Sequence, residues 1–247
     1  MTGILILAFA LLAAVTSFLA GIFGMAGGML LMGGLLLMVS VPDAMILHGI
    51  TQMTSNGWRA FLWRRYILWS VVLRYVAGLL VSGAVFFSFV FIPDKRIVMI
   101  ILGIIPFLGR LVPADLLPQA TKRGGAELCG LVCTSLQFLS GVSGPMLDMF
   151  FVRSSLDRRS IVATKAACQV STHLAKLLYF GALVGGMSGA VADPLIIALA
   201  IGMAILGTTA ARTILERLTD NDFRRYTWQL VQCVGAVYLV RGIAGYL

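Results

Sequence analysis

Two stretches of the chain, Gly24–Arg59 and Gly141–Lys176, lie 117 positions apart and align without a gap. Gly24 falls on Gly141, Gly27 on Gly144, Met29-Leu30 on Met146-Leu147, Met32 on Met149 and Gln52 on Gln169. Identities between apolar residues carry little weight in a chain that is 60% hydrophobic. The polar registration carries more: His48 falls on Lys165, Thr54-Ser55 on Ser171-Thr172, Asn56 on His173 and Arg59 on Lys176. Each copy opens with a glycine-rich interruption and continues into a helix with a polar stripe. A pair of broken apolar segments at matching places in two halves is the pattern of a transporter built around a midplane site.

Only 12% of the 247 residues are charged, and apolar runs of spanning length recur along the whole sequence. This excludes a water-soluble domain and predicts an all-α polytopic membrane protein. The net charge of +9 does not indicate a nucleic-acid partner. The basic residues cluster in short connections, where they orient membrane helices. Cys129, Cys133, Cys168 and Cys233 lie in apolar segments and are expected to pack as small buried residues. No metal or other cofactor is expected, and no enzymatic motif of the HExxH, GxSxG or nucleotide-loop kind is present. The N-terminus lacks the basic region of a cleaved signal peptide.

In chain order, a first helix over 3–22 is interrupted at Gly24–Gly28 and followed by a short piece to about 39. A continuous helix there would be about 50 Å long against a hydrocarbon core of about 30 Å, so a hairpin is expected. Helices follow over about 43–63, 68–91 and 97–112, the last with Pro106 as a kink. The second half repeats the plan over 126–139, 144–152, 160–182, 195–211 and 226–246, with a turn at Gly185–Asp193 and a charged loop at Arg212–Arg225. The predicted division is a first repeat over 1–112, a linker over 113–125 and a second repeat over 126–247. Asp43, Asp94, Asp157 and Asp193 stand where helix N-caps are needed. Trp58, Trp63, Tyr66 and Trp69 read as an interfacial aromatic belt.

Five segments are an odd number, so two consecutive copies must be inverted, each opened by a glycine-broken hairpin. One side collects Arg59, Arg64, Arg65, Arg110, Lys122, Arg123, Arg153, Arg158, Arg159, Lys165, Arg212, Arg217, Arg224 and Arg225, and the other only Lys95, Arg96 and Arg241. The basic side is expected in the cytoplasm and both termini outside.

His48, Gln52, Asn56 and Arg59 are spaced 4, 4 and 3 residues apart and share one helix face, as do Lys165, Gln169, His173 and Lys176. A polar face on an apolar helix must meet another helix or an aqueous cavity. Interhelical bonding is the plain alternative, but two matched stripes beside two breaks favour a shared cavity. The stripes hold cations and no carboxylate, and the glycines leave backbone N–H groups open, which describes an anion site. The candidate binding residues are Gly27, Gly28, His48, Gln52, Ser55, Asn56, Gly144, Gln169, Thr172, His173 and Lys176. Arg59 and Lys165 are expected at the interface. Asp148 falls on Leu31 of the first copy, so the repeat does not require it. It should pair with Lys176 or His173, or act as a protonation switch, with His48 and His173 as the rival proton-coupling groups.

The GxxGG at Gly24–Gly28, Pro42 beyond it, the Thr54-Ser55 pair on the next helix and the second copy from Gly141 resemble the TauE/SafE, or sulfite exporter, family over essentially the whole chain. The resemblance implies transport of sulfite, thiosulfate or organosulfonates across the bacterial cytoplasmic membrane, by export in several members. The second copy departs from the pattern, with GVSGP in place of a fuller glycine run. The expected function is secondary transport of such an anion by alternating access, with protons and the bilayer as further partners and a homodimer as a candidate assembly. An anion channel and a non-transporting assembly protein are the alternatives.

Overall fold

The structure, a computed structural model, describes residues 3–23, 25–111, 116, 118–151, 154–184, 193–215 and 220–245. Within them the chain forms ten α-helices: α1 (Gly3–Phe23), α2 (Met25–Met38), α3 (Val41–Leu62), α4 (Trp69–Ser88), α5 (Lys95–Leu111), α6 (Gly125–Ser140), α7 (Gly144–Phe151), α8 (Arg158–Leu177), α9 (Pro194–Leu215) and α10 (Asp220–Ala244). Spans at Gly3–Ile22, Trp69–Ser88 and Pro194–Ala211 are long and apolar enough to cross a membrane. They turn large apolar side chains outward, among them Leu7, Leu11, Leu73, Leu80 and Leu206. The chain is a multi-pass membrane protein.

The predicted helices are all present, with shifted ends. Gly27 and Gly28 lie inside the first turn of α2, so the first interruption is confined to the junction of α1 and α2; Gly24 itself lies outside the described residues. Helix α10 starts at Asp220 and absorbs part of the expected charged loop, while 216–219, most of the expected turn at Gly185–Asp193, and Arg153 also lie outside the described residues. After α8 the backbone widens into a π turn over Leu178–Leu183. There Tyr179 Oη donates to the carbonyl of Phe91 (3.0 Å) and accepts from its N–H (2.7 Å), tying the turn to the segment after α4.

Three of the four predicted caps hold. Asp157 accepts from the N–H groups of Arg159 and Ser160 at the start of α8. Asp94 accepts from Arg96 N–H (2.8 Å) and Asp193 from Leu195 N–H (2.9 Å). At α3 the cap is Ser40 rather than Asp43, and the two side chains bond to each other at 2.6 Å. Pro42 takes an early position in α3, where its missing N–H costs nothing. Near the basic end of α3, Arg159 stacks on the rings of Trp63 and Tyr66 and donates to Tyr66 Oη at 3.0 Å.

The packing has a two-fold pattern. Helix α1 packs on α9 and α6 on α4; α3 packs on α9 and α8 on α4; α10 packs on α2 and α5 on α7. Exchanging the first five helices for the last five turns each pairing into another that is also present. Three pairs map onto themselves, α3 with α8, α5 with α10 and, by a smaller contact, α2 with α7. Small residues allow the close crossings, as expected where helices associate by packing in lipid. A Cβ at Gly78 would run into the Glu127 carbonyl, and one at Gly130 into the Tyr75 carbonyl.

Helices α3 and α8 form the centre and run antiparallel. His48, early in α3, meets Lys176, late in α8, whereas Gly57 further along α3 faces Val170. Both helices bury polar as well as apolar residues. The least lipid-compatible faces of the chain are thereby turned against each other, as buried polar groups at membrane depth require.

Candidate functional site

The site begins with the end of α6. Gly141 stops that helix in a left-handed conformation (φ 77°), which only glycine adopts without strain. Its N–H closes on the Gln137 carbonyl at 2.9 Å, and its own carbonyl is turned out of the helix. Two donors meet that carbonyl, Gln137 Nε2 at 2.8 Å and Lys176 Nζ at 3.1 Å. Lys176 Nζ also donates to His48 Nδ1 at 2.8 Å. His48 Nε2 faces the Gly28 carbonyl at 3.0 Å. A carbonyl only accepts, so this nitrogen carries the hydrogen and His48 receives the lysine's donation as a neutral ring.

A second branch runs along α8. Gln137 Nε2 gives its other hydrogen to His173 Nδ1 at 3.0 Å. Its Oε1 accepts from Ser143 Oγ at 3.0 Å, and Ser143 Oγ accepts from Gln169 Nε2 at 3.4 Å. Ser143 directly precedes Gly144, where α7 starts, so this branch ends at the open N–H groups of a helix. The rings of His48 and His173 lie 5.5 Å apart between their centroids. The two stripes therefore meet at one locus.

Lys176 is fully buried, and its two partners are both neutral acceptors. Gln52 is also buried beside Gly28, and its Nε2 has no hydrogen-bond partner. A buried donor left without a partner costs about 1–3 kcal/mol. The locus holds surplus donors and positive charge, and among the described residues no carboxylate bonds to Lys176, His48, Gln137 or His173.

Among the residues expected from sequence, His48, Gln169, His173 and Lys176 are joined in one network that includes the Gly28 carbonyl, with Gln52 against it. Ser55 and Thr172, at matched positions, face outward from it. Ser55 Oγ bonds Thr208 Oγ1 on α9 at 2.7 Å, and Thr172 Oγ1 bonds Tyr75 Oη on α4 at 2.7 Å. Asn56 Nδ2 donates back to the Gln52 carbonyl at 2.8 Å. Gly27 packs against α1: a Cβ there would overlap the Thr16 carbonyl and Ala20.

Asp148 does not pair with Lys176 or His173, as expected from sequence. It forms an ion pair with Lys165, because α7 lies along α8 and places Asp148 one turn beyond Gly144, just as Lys165 lies one turn from Gln169. Arg59 donates to the Ala20 carbonyl near the end of α1 at 2.8 Å and does not simply reach for an interface.

Gln137 and Ser143 went unrecognised in the sequence. Gln137 falls on Ala20 of the first copy, so the repeat did not flag it; an amide in an otherwise apolar run was the available signal. The thiols of Cys129 and Cys133 lie 3.9 Å apart, and Cys133 Sγ is 4.0 Å from the Ser143 carbonyl. They pack behind the locus as buried groups, whereas Cys233 is exposed.

No curated protein and no solved structure matches the chain at a significant level. The model of one family, described as sulfite exporter TauE/SafE, matches residues 9–238 of the 247. With this coverage, ten helices and a buried network rich in donors, the chain belongs to the TauE/SafE sulfite exporter family of membrane transporters.

Proposed function

We propose that the chain exports a small sulfur-containing anion, such as sulfite, thiosulfate or an organosulfonate, across the bacterial inner membrane by alternating access. One observation carries the reading: Lys176 is buried at the crossing of α3 and α8 with two neutral acceptors and, among the described residues, no carboxylate. Burying an isolated ammonium costs several kcal/mol, and an anion brought to the same place offsets that cost. Gln52 Nε2 and the N–H groups opening α7 supply further donors for the anion oxygens.

The binding set is His48, Gln52, Gln137, Gln169, His173 and Lys176, with the backbone at Gly28 and Gly144. Ser55, Thr172 and Asn56 belong to the scaffold, as does Gly27. The two repeats, 1–112 and 126–247, are joined by 113–125 and inverted, which the antiparallel crossing of the equivalent helices α3 and α8 supports. Rocking of one repeat against the other then exposes the locus to each side in turn. His48 and His173 are the groups through which a proton is coupled to the anion. Both termini lie outside, as the basic residues of the α3–α4 and α7–α8 connections support.

Flux of radiolabelled sulfite, thiosulfate and taurine from proteoliposomes, with and without a pH gradient, tests the reading. Saturable flux that Lys176→Met abolishes is expected. Flux unaffected by Lys176→Met and Gln52→Ala together would remove the locus from the transport path.

A further inference from the structure

We propose that Asp148 is a tethered counter-anion, occupying a second cationic station formed by Lys165 and Arg59 and giving way there to the transported anion. The proposal rests on the transport reading above. It concerns a place which that reading does not use.

The register of the central helices carries it. Arg59 lies eleven residues after His48 on α3, and Lys165 lies eleven residues before Lys176 on α8. In an antiparallel pair such displacements bring the same two elements together again, about 16 Å along the axis. The contacts of His48 with Lys176 and of Gly57 with Val170 fix that register, which brings the Arg59 level of α3 to the Lys165 level of α8. Arg59 and Lys165 are also the repeat counterparts of Lys176 and His48. Arg59 donates to a carbonyl near the end of α1, as Lys176 does at the end of α6. One architecture therefore provides two stations, at opposite ends of the same polar stripe.

They differ in one respect. At the Lys176 end the cation has only neutral partners. At the Lys165 end helix α7 contributes a carboxylate, Asp148, where the first repeat has Leu31. The carboxylate is thus an addition to the common plan, and it sits where an anion would sit. The Lys165 and Asp148 side chains retain 23% and 27% exposure although the paired Asp148 oxygen is buried, so this end is less tightly closed than the Lys176 end, where the lysine is fully buried. A partly exposed ion pair is a weak contact, so a solute anion can replace one partner. Asp148 balances the charge of this station and sets how readily an anion enters it.

The test is sulfite flux in proteoliposomes containing the full chain, read as KM and maximal rate, beside the thermal stability of each variant. Removing the tethered competitor in Asp148→Asn is expected to lower KM by about twofold to fivefold, and Asp148→Leu, which restores the residue type of the first repeat, is expected to do the same. Lys165→Met is expected to raise KM, with Asp148→Asn adding nothing in its background. If both Asp148 variants leave KM unchanged or raise it, while wild-type flux persists and Lys176→Met still abolishes it, the proposal is overturned and the transport reading stands. If wild-type flux is absent, both fall.

Discussion

Lys176 of the second copy donates to Nδ1 of His48 of the first, 2.8 Å away, across the contact between two equivalent helices. The pair joins helices α3 and α8 through a cation and a neutral ring, and no described acid takes part. A structural ion pair would have been cheaper to bury. The arrangement is better suited to a site whose missing charge arrives with a ligand.

Lys176→Met should therefore separate function from stability. Flux should fall by about two orders of magnitude, the loss expected when a buried charged contact worth about 3 kcal/mol to the bound anion is removed. The midpoint of thermal unfolding should hold or rise, because an apolar side chain of similar size replaces a desolvated cation. Flux assays beside thermal unfolding in detergent check both.

The glycines of α2 should respond in opposite ways. Gly27→Ala drives a methyl group into the backbone of α1 and should cost about 3 kcal/mol, the upper end for overpacking, with poor recovery of folded protein. At Gly28 the nearest neighbours of an added Cβ are Gln52 and His48 at 3.7 Å, an ordinary contact. Gly28→Ala should fold normally and lower flux by crowding the locus. Size-exclusion profiles and transport of the two variants decide.

Ser55→Ala and Thr172→Val each remove one hydrogen bond to a flanking helix, Thr208 or Tyr75. Interhelical bonds in membranes contribute about 0.6 kcal/mol on average. Each variant should lose about that much stability and keep its KM. A KM raised tenfold by either would return that hydroxyl to the binding set.

Asp157 caps α8 outside the membrane-spanning part. Its carboxyl is held below the ordinary value of 3.8, first by the Ser160 hydroxyl and then by backbone N–H groups. A carboxyl depressed in the folded state stabilises above its unfolded value and loses that contribution as pH falls through the folded one. Unfolding midpoints measured from pH 6 down to pH 3 should fall less steeply in Asp157→Asn, which keeps an acceptor at the cap but does not titrate.

Ten apolar segments, the interruptions at the two glycine-rich stretches and two cationic stripes were all legible along the chain, because each depends on local physics. Spanning length, glycine's backbone freedom and the recurrence of a face every three or four residues need no knowledge of neighbours. What lay on either side of a stripe did need it. Ser55 is three residues from Gln52, which turns it by about 60° around the helix, enough to aim it at α9 and away from the locus. Asp148 found Lys165 because α7 lies alongside α8, and Gln137 joined Lys176 because the left-handed turn at Gly141 presents one carbonyl to both. The sequence by itself determined that hydrophilic faces exist and must be buried together. The tertiary structure decided which residues meet, since helix register and crossing, set by packing among all ten helices, choose every partner.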